Sequence, residues 1–251
     1  MKGIDMVRRL SVLAGVVALA SFLMVPAASA GKARTYEVTI TNLTTGQPLT
    51  PPVVAAHKKP VEIFEVGNAA SYAVQQLAEN GNGGPLVAEL GANKHVSAIW
   101  EATEPLVPAG TPGAEDLGFK DYVTFEITSY KGAKYLSVAS MLICTNDGFT
   151  GVDGVRLPKK VGQSKTIWSD AYDAGTENNT EDFADMVPPC QGLIGVVAMP
   201  AETGTGTTNG ALAEGGVIHH HNGIVGGIDD LTVSDHGFTN PVIEITIERI
   251  S

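Results

Sequence analysis

Residues 240–250 read Asn-Pro-Val-Ile-Glu-Ile-Thr-Ile-Glu-Arg-Ile. Val242, Glu244, Thr246 and Glu248 alternate with Ile243, Ile245 and Ile247, so one face of the segment is apolar and the other largely polar. A two-residue period of this kind belongs to a β-strand with one side on a core and the other in water. The same alternation marks Tyr36 to Leu43, Val96 to Ala102 and Asp121 to Tyr130. Tyr135 to Cys144 is more continuously apolar and reads as a central strand. Shorter strand candidates are Val155 to Leu157, Thr166 to Trp168, Leu193 to Met199, Gly215 to His220 and Val233 to His236. Val61 to Val66 reads as a short strand or an extended lead-in.

Helical spacing occurs only near the N-terminus. Asn68 is placed to cap a helix from Ala69 to Ala78, which Gly81-Asn-Gly-Gly84 ends. A second helix is expected from Pro85 to Leu90, with Pro in its first turn and Gly91 after it. Roughly eight strands with two short helices among them predict an all-β fold, an antiparallel β-sandwich with a short helical insertion near the N-terminus. Helices do not alternate with strands, which argues against a parallel, doubly wound sheet.

Residues 1–30 are expected to be a signal peptide. Lys2, Arg8 and Arg9 precede an apolar run from Leu10 to Val25, and Ala28 and Ala30 offer small residues for cleavage near Ala30. The run falls short of the ~20 residues of a membrane span. Residues 31–251 then form one domain, secreted or periplasmic. Removing a leader of net +2 takes the formal charge from −11 to −13, which argues against nucleic acid and against unaided binding to anionic lipid. The only two cysteines, Cys144 and Cys190, face an oxidising compartment. A single disulfide is expected there, with two buried thiols as the alternative.

Between Cys144 and Glu177 the acids Asp147, Asp153, Asp170, Asp173 and Glu177 lie among Gly, Thr and Asn. Gathered carboxylates repel one another unless a cation sits among them. Oxygen ligands on glycine-permitted loops suit a hard divalent ion such as calcium. The frame of a helix-loop-helix calcium site is missing, and a solvated acidic surface is the competing reading.

The chain resembles the spondin domain, the central module of F-spondin and mindin that also occurs alone in secreted bacterial proteins. The resemblance is carried by Tyr36-Glu-Val-Thr-Ile-Thr-Asn-Leu-Thr44, Ser140-Met-Leu-Ile-Cys-Thr-Asn-Asp-Gly-Phe-Thr-Gly-Val-Asp153, Asp173-Ala-Gly-Thr-Glu177, His221-Asn-Gly-Ile-Val-Gly226 and Asn240-Pro-Val-Ile-Glu-Ile-Thr-Ile247. It implies a sandwich similar to calcium-dependent lipid-binding domains, with one calcium at the loop end. The implied ligands are Asp147, Asp173 and Glu177, with Asp153 and Asp170 as second choices. Glu177 stands where the family has Asp. The resemblance also implies a non-catalytic binding or adhesion module with an extracellular or envelope partner, protein or polysaccharide.

His219-His220-His221 carries the rival reading. In a strand His219 and His221 share a face, and with His236 or His95 they would form a zinc or copper site of a secreted metalloenzyme or metal carrier. No nucleophile elbow or phosphate-cradling glycine loop is present, so no enzyme activity is expected.

Overall fold

The computed structural model describes residues 33–130, 132–194 and 206–251; the expected signal peptide and most of the Leu193–Met199 strand candidate lie outside them. Among the described residues ten strands form two antiparallel sheets. They are β1 (Arg34–Asn42), β2 (Val53–His57), β3 (Val96–Glu101), β4 (Tyr122–Ser129), β5 (Tyr135–Met141), β6 (Gly148–Arg156), β7 (Ser164–Ser169), β8 (Ala171–Asp173), β9 (His219–His220) and β10 (Ile243–Arg249). One sheet has the order β4-β1-β10-β7 and the other β3-β2-β5-β6-β8-β9.

The alternating strands do what their period demands. Tyr36, Val38 and Ile40 of β1, Phe125 and Ile127 of β4, and Ile243, Ile245 and Ile247 of β10 point inward. They meet Val54 and Ala56 of β2 and Leu136 and Val138 of β5 across the sandwich. Trp100 stacks flat on Phe125 in this layer, ring centroids 3.5 Å apart. Trp168 is on the outer face and 56% exposed, its indole N–H donating to Glu244 Oε2 at 3.0 Å.

The second sheet is covered on both sides, which gives three layers. Helices α1 (Tyr72–Asn80) and α2 (Gly84–Ala92) lie on its outer face. Val74, Leu77, Leu86 and Leu90 pack there against Val53, Ala55, Ala139 and Phe149. All five residues of β2 are therefore buried, and its side chains show no alternation of polarity. The expected cap of α1 moves three residues on, because Ser71 rather than Asn68 takes the cap, its Oγ accepting from Val74 N at 3.2 Å. Ser71→Ala is expected to cost about 1 kcal/mol, measurable as a lower urea midpoint with an unchanged slope.

Three other expectations need correction. Val233–His236 is one helical turn capped by Thr232, not a strand. Residues 148–154, expected as an acidic loop, are strand and continue into the Val155–Leu157 candidate as β6, which ends at Arg156. The strand candidate beginning at Leu193 starts instead inside a helical turn, Cys190–Leu193. Val61–Val66 is an extended lead-in outside any strand.

β7 and β8 are nearly continuous, yet each belongs to a different sheet, and the chain changes sheets at Asp170. Thr150 Oγ1 donates to Asp170 O at 2.8 Å and Ser169 Oγ donates to Gly151 O, tying the crossing point to β6. β6 passes so close to β5 here that a Cβ on Gly151 would collide with the Val138 carbonyl. The crossing delivers the segment after Tyr172 to the same end of the sandwich as the turn before β6.

Candidate metal site

β5 turns into β6 through Thr145, Asn146 and Asp147. Thr145 Oγ1 donates to Leu142 O at 2.7 Å and accepts from Gly148 N at 2.9 Å, which closes the turn. A disulfide joins Cys144 to Cys190. It sits in a small third core with Met141, Ile143, Phe183, Met186, Val187 and Leu231. Gln47 ties this end together: its Oε1 accepts from Cys144 N and its Nε2 donates to Cys144 O and His236 O.

Gly148 pairs with Asp173 across β6 and β8, and Asp147 O accepts from Ala174 N at 3.1 Å. Asp147, in the turn before β6, thus lies against the Asp173–Glu177 segment, and none of the three acids is more than 3% exposed. Asp147 Oδ2 accepts from Thr176 N at 2.7 Å, Thr176 Oγ1 at 3.1 Å and Glu177 N at 3.0 Å. Its other oxygen, Oδ1, is buried and accepts nothing. Burial, then the negative charge of Asp173, pushes the Asp147 acid up to about 6 despite those three donors. Burial pushes Glu177 up to about 7; Asn209 N, donating to its Oε1 at 2.8 Å, opposes this, and the charges of Glu79, Asp147 and Asp185 add to it. Asp173 Oδ1 accepts from Gly175 N and its Oδ2 from Asn179 Nδ2, at 2.8 and 2.7 Å.

Among the described residues the closest approaches of a basic side chain to an acid are His219 Nδ1 to Asp173 at 3.8 Å and His220 Nδ1 to Asp170 at 3.5 Å, ionic only when the imidazole is protonated. No Lys or Arg among the described residues forms an ion pair with the buried acids. A buried carboxylate oxygen without donor or cation is costly, and an ion among these acids would remove that cost. They nonetheless do not offer three ligand atoms within 4.8 Å of one another. Among the described residues Asp182, Asp229 and Asp230 meet that spacing, at the surface. Two of those three are already engaged: Asp182 Oδ1 accepts from Ala184 N and Asp230 Oδ2 from Phe183 N.

The second choices lie elsewhere. Asp153 is five residues along β6 from Gly148, roughly 16 Å at ~3.3 Å per residue. Its Oδ1 accepts from Ile63 N and Ser137 Oγ, both at 2.8 Å, and so fastens the lead-in to α1 onto the sheet. Asp170 sits at the sheet crossing, partly exposed, beside His220.

The histidines do not converge either. His221 is buried, and its Nδ1 accepts from Gly223 N at 3.0 Å. Burial, aided by His219 and opposed by Asp173, holds its pKa below the usual value. The neutral ring with an accepting Nδ1 carries its proton on Nε2, so the free nitrogen is a donor and not a metal-binding lone pair. His236 is bound the same way, Nδ1 accepting from Thr232 N, and His95 lies just before β3. No histidine belongs to a group of three close ligand atoms among the described residues.

No local pattern in the sequence marks Glu181. It is buried at φ +61°, and its two carboxylate oxygens accept from Val225 N at 2.6 Å and Gly226 N at 2.8 Å. Its carbonyl also accepts from Asp230 N and Leu231 N, so one residue holds the 223–231 loop against the site. Glu181→Gln puts an amide donor against a backbone N–H and is expected to cost about 1–3 kcal/mol, with faster hydrogen exchange at Val225 and Gly226. Glu79, at the end of α1, is equally unmarked. Its sequence neighbours are helical, and only the fold brings it to Glu177.

A family model, Spondin_N, matches residues 43–188, more than half of the chain, including Cys144, Asp147, Asp173 and Glu177. No curated protein matches the chain.

Proposed function

The chain belongs to the Spondin_N family, and on that premise we propose that it is an exported, calcium-binding β-sandwich acting as a binding or adhesion module without catalytic chemistry. In this reading the sandwich is akin to calcium-dependent lipid-binding domains. Asp147, Asp173 and Glu177 hold one calcium ion, and an extracellular or envelope protein or polysaccharide is the partner. The disulfide fits export, and among the described residues no helix is long and apolar enough to cross a membrane.

The observation that carries the reading is Asp147 Oδ1, a buried carboxylate oxygen with no donor, beside a second buried carboxylate and, among the described residues, with no Lys or Arg paired to it. Calcium supplies positive charge and accepts six to eight oxygens, with water and backbone carbonyls completing the carboxylate set. Asp147 already braces Thr176 and Glu177 through its Oδ2, so drawing the acids together on an ion stiffens the loop that follows β8. Ion and fold are then linked by mass action.

Calorimetric titration of the chelator-stripped protein tests this. One calcium per chain is expected, with the heat abolished in Asp173→Ala. No heat with calcium at millimolar concentration contradicts the proposal.

A further inference from the structure

Beside the loop lies a cavity of about 290 Å³, lined among others by Glu79, Glu177, Asp185, Thr208 and Asn209. Among the described residues no Lys, Arg or His lines it. Glu79 is 4% exposed; its Oε1 accepts from Gln75 Nε2 at 2.8 Å, while its Oε2 is buried and accepts nothing. The neighbouring Asn80 Oδ1 is likewise buried and without a donor.

Glu79 also occupies the last turn of α1, where the aligned peptide dipoles place negative potential and a cation is the stabilising residue. Burial, the helix end and Glu177 across the cavity therefore all act against this carboxylate. A glutamine would fill the same space at lower cost. We infer that the Glu79–Glu177–Asp185 cavity is a binding site for an organic cation, the ammonium or guanidinium group of a basic side chain or a free amine.

The size of the cavity favours such a group over a bare metal ion. The volume suits a planar or tetrahedral group on a carbon stem, and several N–H donors could be shared among Glu79, Glu177, Asp185 and Thr208. The site is separate in chemistry from the proposed calcium site, although Glu177 borders both.

The mature chain is titrated with arginine methyl ester and with agmatine, against tetramethylammonium chloride, which carries charge but no donor. Saturable binding of the first two and none of the third is expected. Glu79→Gln should weaken it at least tenfold while keeping the calcium heat, whereas Asp147→Asn should keep it and lose the calcium heat. A basic hexapeptide binding more tightly than either small amine identifies a protein-borne group as the source; equal affinity identifies a free amine. Asp185→Asn serves as second variant should Glu79→Gln fold poorly. Absence of saturable amine binding overturns the inference, as does unweakened binding in the folded variants. A calcium response lost in Glu79→Gln without amine binding also overturns it, and makes the cavity a metal site.

Discussion

Loss of the Cys144–Cys190 bond is expected to lower stability by about 2–5 kcal/mol. The two cysteines are 46 residues apart, and the loop they close contains β6, β7, β8 and all three proposed calcium ligands. Cutting it releases chain entropy to the unfolded state, on the order of 3–4 kcal/mol for a loop of this length. Packing acts in the same direction. The third core around the bond is small, and Phe183, Met186 and Val187 on its far side come from a short 3₁₀ turn, Phe183–Asp185, and the coil after it. Those side chains have no sheet of their own to hold them. A Cys144→Ala, Cys190→Ala double variant should therefore melt well below the wild type, and reductant should lower the wild-type midpoint in the same way. A midpoint unchanged by reductant would show that the 178–194 region is held without the covalent link.

The second large effect concerns pH and calcium together. Asp147 and Glu177 hold protons up to about 6 and about 7 in the fold, whereas free carboxyls release them near about 4. Between these values the folded chain binds more protons than the unfolded one. The stability that these two groups contribute is therefore complete below about pH 4 and is lost as pH rises through 6 and 7. Each changes stability by at most about 1.4 kcal/mol per pH unit over its window. In chelator the melting midpoint should fall between pH 5 and 8. Calcium takes the place of the protons, so with calcium the fall should disappear and calcium affinity should grow with pH. Asp147→Asn keeps an acceptor for Thr176 and Glu177 without the charge. It should match or exceed the wild type at pH 8 in chelator and gain nothing from calcium. A midpoint that rises with pH in chelator would show that the buried acids are already compensated.

The legible parts of the fold were those with one wet face. β1, β4 and β10 alternate because the outer side of their sheet meets water, and their residues announce it. β2 was invisible because both its faces are covered, one by the opposite sheet and one by α1 and α2. Val-Val-Ala-Ala-His after two prolines carries no period to read. β6 was misread for a chemical reason: Gly148, Gly151, Asp153 and Gly154 are loop residues by composition. Yet Gly151 is there to let β5 approach, and Asp153 is consumed by Ile63 N and Ser137. The meeting of Asp147 with the Asp173–Glu177 segment was implied by the resemblance to the spondin domain and not by any local pattern. The acids that only the fold could deliver, Glu79 from a helix and Glu181 from a left-handed backbone position, were beyond any local pattern.

The central claim is that Asp147 Oδ1 is short of a cation. Its most direct measurement is a crystal of the mature chain grown with calcium, or with a lanthanide in its place, and read by anomalous scattering. The account predicts one strong peak at ~2.3–2.6 Å from Asp147, within coordination range of Asp173 and Glu177. A peak only beside Asp182, Asp229 and Asp230, or none with Asp147 unchanged, would contradict it.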